Sequence, residues 1–212
     1  MRNRFIAGVL VVTGFYAAPA LADPSVAAAP KTVSRSGIPY KRDDDQAGPK
    51  ELVDAIRARR EGGKLLNLDR MLLHSAGFAK GWNGMFGAIR GQLAVPAKLR
   101  EISIMAIGSL NQADYEWAQH EKEFMKAGGT EAQLAALKNV AAAMKNTKLF
   151  DEAERATLAL VDEMTRAVKV SNVTMQRIRK LLPDDQVVEL IGTIAGYNMV
   201  SRFVVATGIE LE

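Results

Sequence analysis

Cysteine is absent from all 212 residues. That excludes disulfides, thiolate metal ligands and every catalytic cycle that runs through a thiol, because the thiolate is the reacting species in each. Histidine is nearly as scarce: His74 and His120 are the only two, so proton transfer near neutral pH has few places to occur. No alternation of apolar and polar residues reads as a strand. Basic clusters are missing as well, and a net charge of +4 makes no case for nucleic acid. What remains is a chain that is 48% hydrophobic and 25% charged, enough to bury one sizeable core and to form one domain.

Residues 1–22 read as an export signal. Arg2 and Arg4 give a positive start, 5–18 form a short apolar core, and Ala20-Leu21-Ala22 is a small-x-small cleavage site. The apolar run is shorter than the roughly 20 residues a membrane span needs. A periplasmic mature protein starting near Asp23 is the expectation. Cleavage removes two of 28 basic residues and none of the 24 acids, so the net charge falls from +4 to +2. Residues 23–48, with Pro24, Pro30 and Pro39 and few bulky apolar side chains, predict a disordered or loosely docked arm. The acidic run 43–45 reads as solvated linker rather than a metal site.

From Pro49 onward the pattern is helical. A first helix over 49–61 stops at Gly62-Gly63. A long segment from 67 to 92 carries glycines at 77, 81, 84, 87 and 91. At about 1 kcal/mol each relative to alanine, these glycines predict either a break or close packing on a neighbour. Trp82 and Phe86, four apart, should face the core or a subunit contact. Pro96 opens a helix with an apolar stripe at Leu99, Ile102, Ala106 and Leu110, and a break near Gly108 to Asn111 precedes a helix over 112–126. Thr130 with Gln133, Asp151 with Glu154, and Ser171 start further helices. Pro183 with Asp184 begins the last one, which from 187 to 209 is apolar nearly all round and so predicts burial on most sides. The expected fold is all-α, a single bundle of seven or eight helices over 49–212.

The stretch 101–128 concentrates the proton-transfer chemistry. Glu116 and His120 stand one helical turn apart, within hydrogen-bonding reach, and a neighbouring carboxylate favours the imidazolium. Glu101 lies across the predicted helix break, so only the fold can bring it to the pair. Glu101, Glu116 and His120 could also form a metal set. The di-iron bundles, however, use a duplicated Glu-x-x-His, and the zinc-protease pattern begun by His120-Glu121 fails at Phe124. No metal and no cofactor are expected. His74 reads as a capping or packing residue, with a site-lining role as the alternative.

Leu99-Arg100-Glu101, NQADYEWAQH over 111–120, Ala127-Gly128 and YNMVSR over 197–202 together resemble the carboxymuconolactone decarboxylase family, related to the alkylhydroperoxidase D-like proteins. The resemblance covers about residues 50–212. It implies an all-helical fold assembling as a homo-oligomer, trimer or hexamer, with the site near a subunit boundary. In the peroxidase branch a glutamate, a Cys-x-x-Cys unit and a histidine act together. Glu101 and His120 match the ends of that pattern, but Ala113 and Glu116 stand at the two cysteine positions, so a thiol peroxidase cycle cannot run here.

The cysteine-free form is similar to the decarboxylase branch instead. That implies cofactor-free decarboxylation of a small carboxylated lactone derived from aromatic breakdown. Under this resemblance His120 is the acid–base group, Glu116 and Glu101 set its charge and orientation, and Tyr115 is a candidate donor to the lactone oxygen. The substrate carboxylates call for an arginine. Arg202, on the most apolar helix, is the first choice and Arg100 the second; Trp117 and His74 are further candidates to line the substrate site. An export signal sits oddly with muconolactone breakdown, which is ordinarily cytoplasmic. The alternative is therefore a non-enzymatic periplasmic helical oligomer that binds a small ligand.

Overall fold

The computed structural model describes residues 32–44 and 46–212. The export signal expected over 1–22 and the start of the arm, 23–31, lie outside the described residues. Ten α-helices, a single 3-10 turn at Glu61–Gly63 and one isolated β-bridge, between Val33 and Pro39, are the elements of the described chain. The helices are α1 (Lys50–Arg57), α2 (Asn67–Leu72), α3 (Ala76–Gly91), α4 (Ala97–Leu110), α5 (Asp114–Lys126), α6 (Glu131–Leu137), α7 (Val140–Ala143), α8 (Glu152–Arg166), α9 (Asn172–Leu181) and α10 (Asp184–Thr207). The count exceeds seven or eight because two expected helices are interrupted. Residues 73–75 separate α2 from α3, and the Asn139 side chain accepts the Ala142 N–H and starts α7 afresh. None of the described helices is long and apolar enough to cross a membrane.

Helix α4 is the centre of the fold, with α5, α8 and α10 packed around it. All eight residues 101–108 are buried, which follows from a run in which apolar residues point in every direction. The sequence assigned that position to the last helix. Helix α10 instead leaves Val188 and Val205 in solvent and buries its other side. The expected caps form: Thr130 accepts from the Gln133 N–H, Ser171 from that of Thr174, and Asp151 and Glu154 cap each other.

The segment 67–92 is broken into two shorter helices, one of the two expected outcomes, but the break falls at residues 73–75, ahead of the glycines. Helix α3 runs unbroken, and nothing lies within 4 Å of the position a Cβ would take at Gly77, Gly81, Gly84 or Gly91. The opposite side of α3 carries buried Trp82, Phe86 and Ile89.

The arm is docked over its described part, contrary to the composition-based expectation. Ser34, Tyr40 and Ala47 are buried. The Arg35 N–H donates to Gly208 O at 2.9 Å, the Ser36 hydroxyl to Thr207 O at 2.6 Å, and Arg70 Nε to Lys41 O at 2.6 Å. Gly208 ends α10 at φ 60°, where a Cβ would stand 2.9 Å from Ser36 N, so glycine both turns the chain and admits the arm. Hydrogen bonds to and from the backbone, the buried Tyr40 and an Asp43–Arg57 ion pair hold this segment, and composition registers none of these pairings.

Candidate functional site

Asn111 caps the end of α4, and Gln112, in the left-handed region at φ 54°, turns the chain so that α5 returns along α4. That reversal brings Glu101 to His120 across 19 positions of sequence. Glu101 Oε2 lies 2.8 Å from His120 Nδ1, and the two residues are 3% and 5% exposed. Arg100 Nε donates to the other oxygen of Glu101 at 3.3 Å. Burial acts against ionisation of Glu101, but His120 and Arg100 hold its carboxyl below the usual range. Burial lowers the His120 pKa, and Glu101 only partly opposes it. The imidazole is therefore neutral at neutral pH, with Nδ1–H donating to the carboxylate and Nε2 left with its lone pair.

Glu116 does not pair with His120, as the four-residue spacing predicted. Its Oε2 accepts from the Ser201 hydroxyl of α10 at 2.8 Å, and its Oε1 is buried with no hydrogen-bond partner among the described residues. Among the described residues no cation offsets that burial, which pushes its pKa well above the usual carboxylate range. One cavity thus receives the Glu116 carboxyl, whose protonated form burial favours, and a neutral imidazole from His120. Their environments push the two pKa values toward each other, which suits groups that hand on a proton.

The cavity has a volume of ≈ 50 Å³. Trp82, Phe86 and Tyr197 form an aromatic wall, with the Tyr197 ring perpendicular to that of His120 at 5.1 Å between centroids. Burial raises the Tyr197 pKa, so its hydroxyl remains a donor. Arg59, Arg60 and Arg90 line the cavity and also an outer cleft of ≈ 530 Å³ that Lys122 and Lys126 share. Arg60 is neutralised by a bidentate pair with Asp69 at 2.8 and 2.6 Å. Arg59 donates to Asn83 O at 2.8 Å and to the Asn83 side chain. Arg90, half-buried at the end of the Trp82–Phe86 stripe, makes no ion pair or hydrogen bond among the described residues.

Four residues expected at the substrate site lie elsewhere. Arg202 is exposed and donates to Asn198 O at 2.9 Å, because it projects from the outer side of α10. Arg100 is spent on Glu101. Trp117 faces away from the cavity under Lys138, whose Nζ is 3.3 Å from the ring centroid. His74 is exposed, and its Nε2 donates to Pro39 O at 2.7 Å. Tyr115 does line the cavity, with its hydroxyl 3.0 Å from Glu212 Oε1. Arg90, Tyr197 and Gln119 were not singled out from sequence. Arg90 continues the four-residue spacing of Trp82 and Phe86, and Tyr197 opens the YNMVSR motif, so both carried a signal. Among the described residues, no three His, Asp or Glu side chains gather to hold a metal ion.

Residues 76–163 match the carboxymuconolactone decarboxylase family. No curated protein sequence matches the chain. Several solved structures share the fold at low identity. An uncharacterized peroxidase-related protein from Silicibacter sp. TM1040 superposes with a TM-score of 0.70 at 16% identity, over 89% of this chain and 96% of its own. The alkylhydroperoxidase AhpD core of Ralstonia eutropha JMP134, also described as an uncharacterized peroxidase-related protein, gives 0.71 at 16%, over 86% and 94%. The debrominase Bmp8 in complex with 2,3,4-tribromopyrrole gives 0.69 at 17%, over 84% and 94%. The family match covers α3 to most of α8, including Glu101, Glu116 and His120, and the described chain, which has no cysteine, has an all-helical fold of the alkylhydroperoxidase D-like kind.

Proposed function

We propose that the protein is a cofactor-free lyase that decarboxylates a small carboxylated lactone or related anion. The observation that carries this reading is the convergence of Glu116, Glu101-oriented His120 and ion-pair-free Arg90 on one cavity. Arg90 holds the carboxylate that is retained, where its planar guanidinium can donate twice. The bond to the departing carboxylate breaks, carbon dioxide leaves, and the electron pair is delocalised onto the carbonyl oxygen, where the Tyr197 hydroxyl can donate. Glu116 then delivers one proton to carbon. His120 takes a replacement proton at Nε2 from the cleft and passes it to Glu116, its transient charge balanced by Glu101. One proton is consumed for each carbon dioxide released.

The cavity alone is small against the ≈ 300 Å³ of an ordinary ligand pocket, so the body of the substrate extends into the outer cleft. The export signal read in residues 1–22 supports a substrate met outside the cytoplasm. The homo-oligomer belongs to the same proposal: Phe78 and Met85, 45% and 42% exposed beside the open glycines of α3, form the face that a second copy covers.

The test is incubation of the metal-free mature protein with γ-carboxymuconolactone, followed by absorbance and NMR. Conversion that disappears in His120→Ala with the assembly intact supports the lyase. A ligand-dependent rise in melting temperature without product supports the non-enzymatic binder instead.

A further inference from the structure

The residues after Gly208 run back over the site. Ile209 is buried, the Glu210 N–H donates to the Tyr40 hydroxyl at 3.0 Å, and Leu211 is largely exposed. Glu212 then places its side chain against the rim of the cavity. Its Oε1 accepts from the Tyr115 hydroxyl at 3.0 Å and from the Asn67 N–H at 2.7 Å, and its Oε2 from Gln119 Nε2 at 2.7 Å. Three donors from two separate elements therefore converge on one carboxylate. Two of them, Tyr115 and Gln119, are also walls of the cavity that holds His120 and Glu116.

We propose that Tyr115, Gln119 and the Asn67 N–H form a carboxylate-binding subsite, that Glu212 fills it in this structure, and that a carboxylate of the substrate takes it when Glu212 swings away.

Three features favour a replaceable occupant over a structural tie. Glu212 is exposed and makes no ion pair among the described residues, so leaving it breaks no charge pair. The last apolar anchor of the segment is Ile209, and Glu212 can leave without exposing a buried apolar side chain. Tyr115 is itself buried, and burial together with the Glu212 carboxylate pushes its phenol well above the usual range. It therefore remains a donor for whichever carboxylate is present. Departure of Glu212 also frees the polar groups of Tyr115 and Gln119, two walls of a cavity too small for a lactone. Assigning the subsite to substrate rests on the proposed function; its existence as a carboxylate site does not.

Propionate reproduces the end of the Glu212 side chain, and propionamide is its neutral counterpart. The experiment is a titration of the full mature protein with each, read from the Asn67 amide and the Gln119 side-chain amide by NMR, in wild type and Glu212→Ala. Propionate is expected to bind Glu212→Ala at least tenfold more tightly than wild type, and propionamide to shift neither signal. Adding Tyr115→Phe to Glu212→Ala should weaken propionate at least threefold. Equal affinities in wild type and Glu212→Ala, or propionamide binding as well as propionate, would overturn the proposal. No turnover enters this measurement, so its failure leaves the lyase reading standing, and failure of γ-carboxymuconolactone conversion leaves the subsite standing.

Discussion

Glu101 Oε2 lies 2.8 Å from His120 Nδ1, and this bond decides which nitrogen of the histidine can act on a substrate. With Nδ1–H committed to a buried carboxylate, the only lone pair is at Nε2. Glu101→Gln keeps an acceptor there but removes the charge. The His120 pKa should then fall below its already lowered value, because Glu101 is the group that opposes burial. Turnover should drop by about 10²–10⁴-fold, the usual worth of a positioned acid–base group. Ring-proton NMR against pH checks the first expectation and steady-state kinetics the second.

Glu116→Gln should separate stability from activity. The folded state holds the Glu116 pKa well above its unfolded value of ~4.3. The folded protein therefore binds the extra proton between those two values, and this contribution to stability declines as pH rises through that window. Glutamine removes the decline. At neutral pH the variant should be more stable than wild type, with the advantage shrinking toward pH 4. Its turnover should be lost with the proton donor. Denaturation of both proteins at several pH values reads the difference directly.

Arg90→Gln should leave the fold intact, since no ion pair is broken, and should raise KM roughly 10–100-fold, matching the ~1.5–3 kcal/mol of a charge-assisted hydrogen bond. Arg202→Ala should change neither KM nor kcat by more than about twofold, because an exposed side chain bound to its own helix contributes within ~0.5 kcal/mol.

The described arm should contribute to stability. Tyr40→Ala removes a buried ring and the acceptor for the Glu210 N–H, at a cost of about 3 kcal/mol by analogy with other buried aromatics. Deleting residues 32–48 should lower the melting temperature by more than the single substitution does. Calorimetry distinguishes this outcome from the unchanged melting expected of a loose arm.

These residues also show how far sequence alone reaches. Helical periodicity and cap residues marked most of the helices, since 3.6-residue spacing and side-chain caps are local properties. The gathering of Glu101, Glu116 and His120 in one stretch was visible, but the partners were not. Spacing linked Glu116 to His120, whereas the turn at Gln112 gives His120 to Glu101, and α10 gives Ser201 to Glu116. The choice between Arg90 and Arg202 was equally out of reach. Apolarity marked α10 as the most buried helix, while only packing shows that Arg202 projects outward and that Arg90 ends the aromatic stripe. The docking of the arm rests on long-range pairings such as Arg35 N–H with Gly208 O and Arg57 with Asp43, to which composition is blind.

The central claim is that Glu116 carries a proton at neutral pH inside the cavity it shares with His120. Infrared difference spectroscopy of wild type against Glu116→Gln at neutral pH, with confirmation in deuterium oxide, tests it most directly. A protonated carboxylic acid band present in the wild type and absent in the variant, with a deuterium shift, is the expected result. A carboxylate band from Glu116 at that pH would contradict the account, because the cavity would then hold no carboxylic acid to protonate the carbon that loses carbon dioxide.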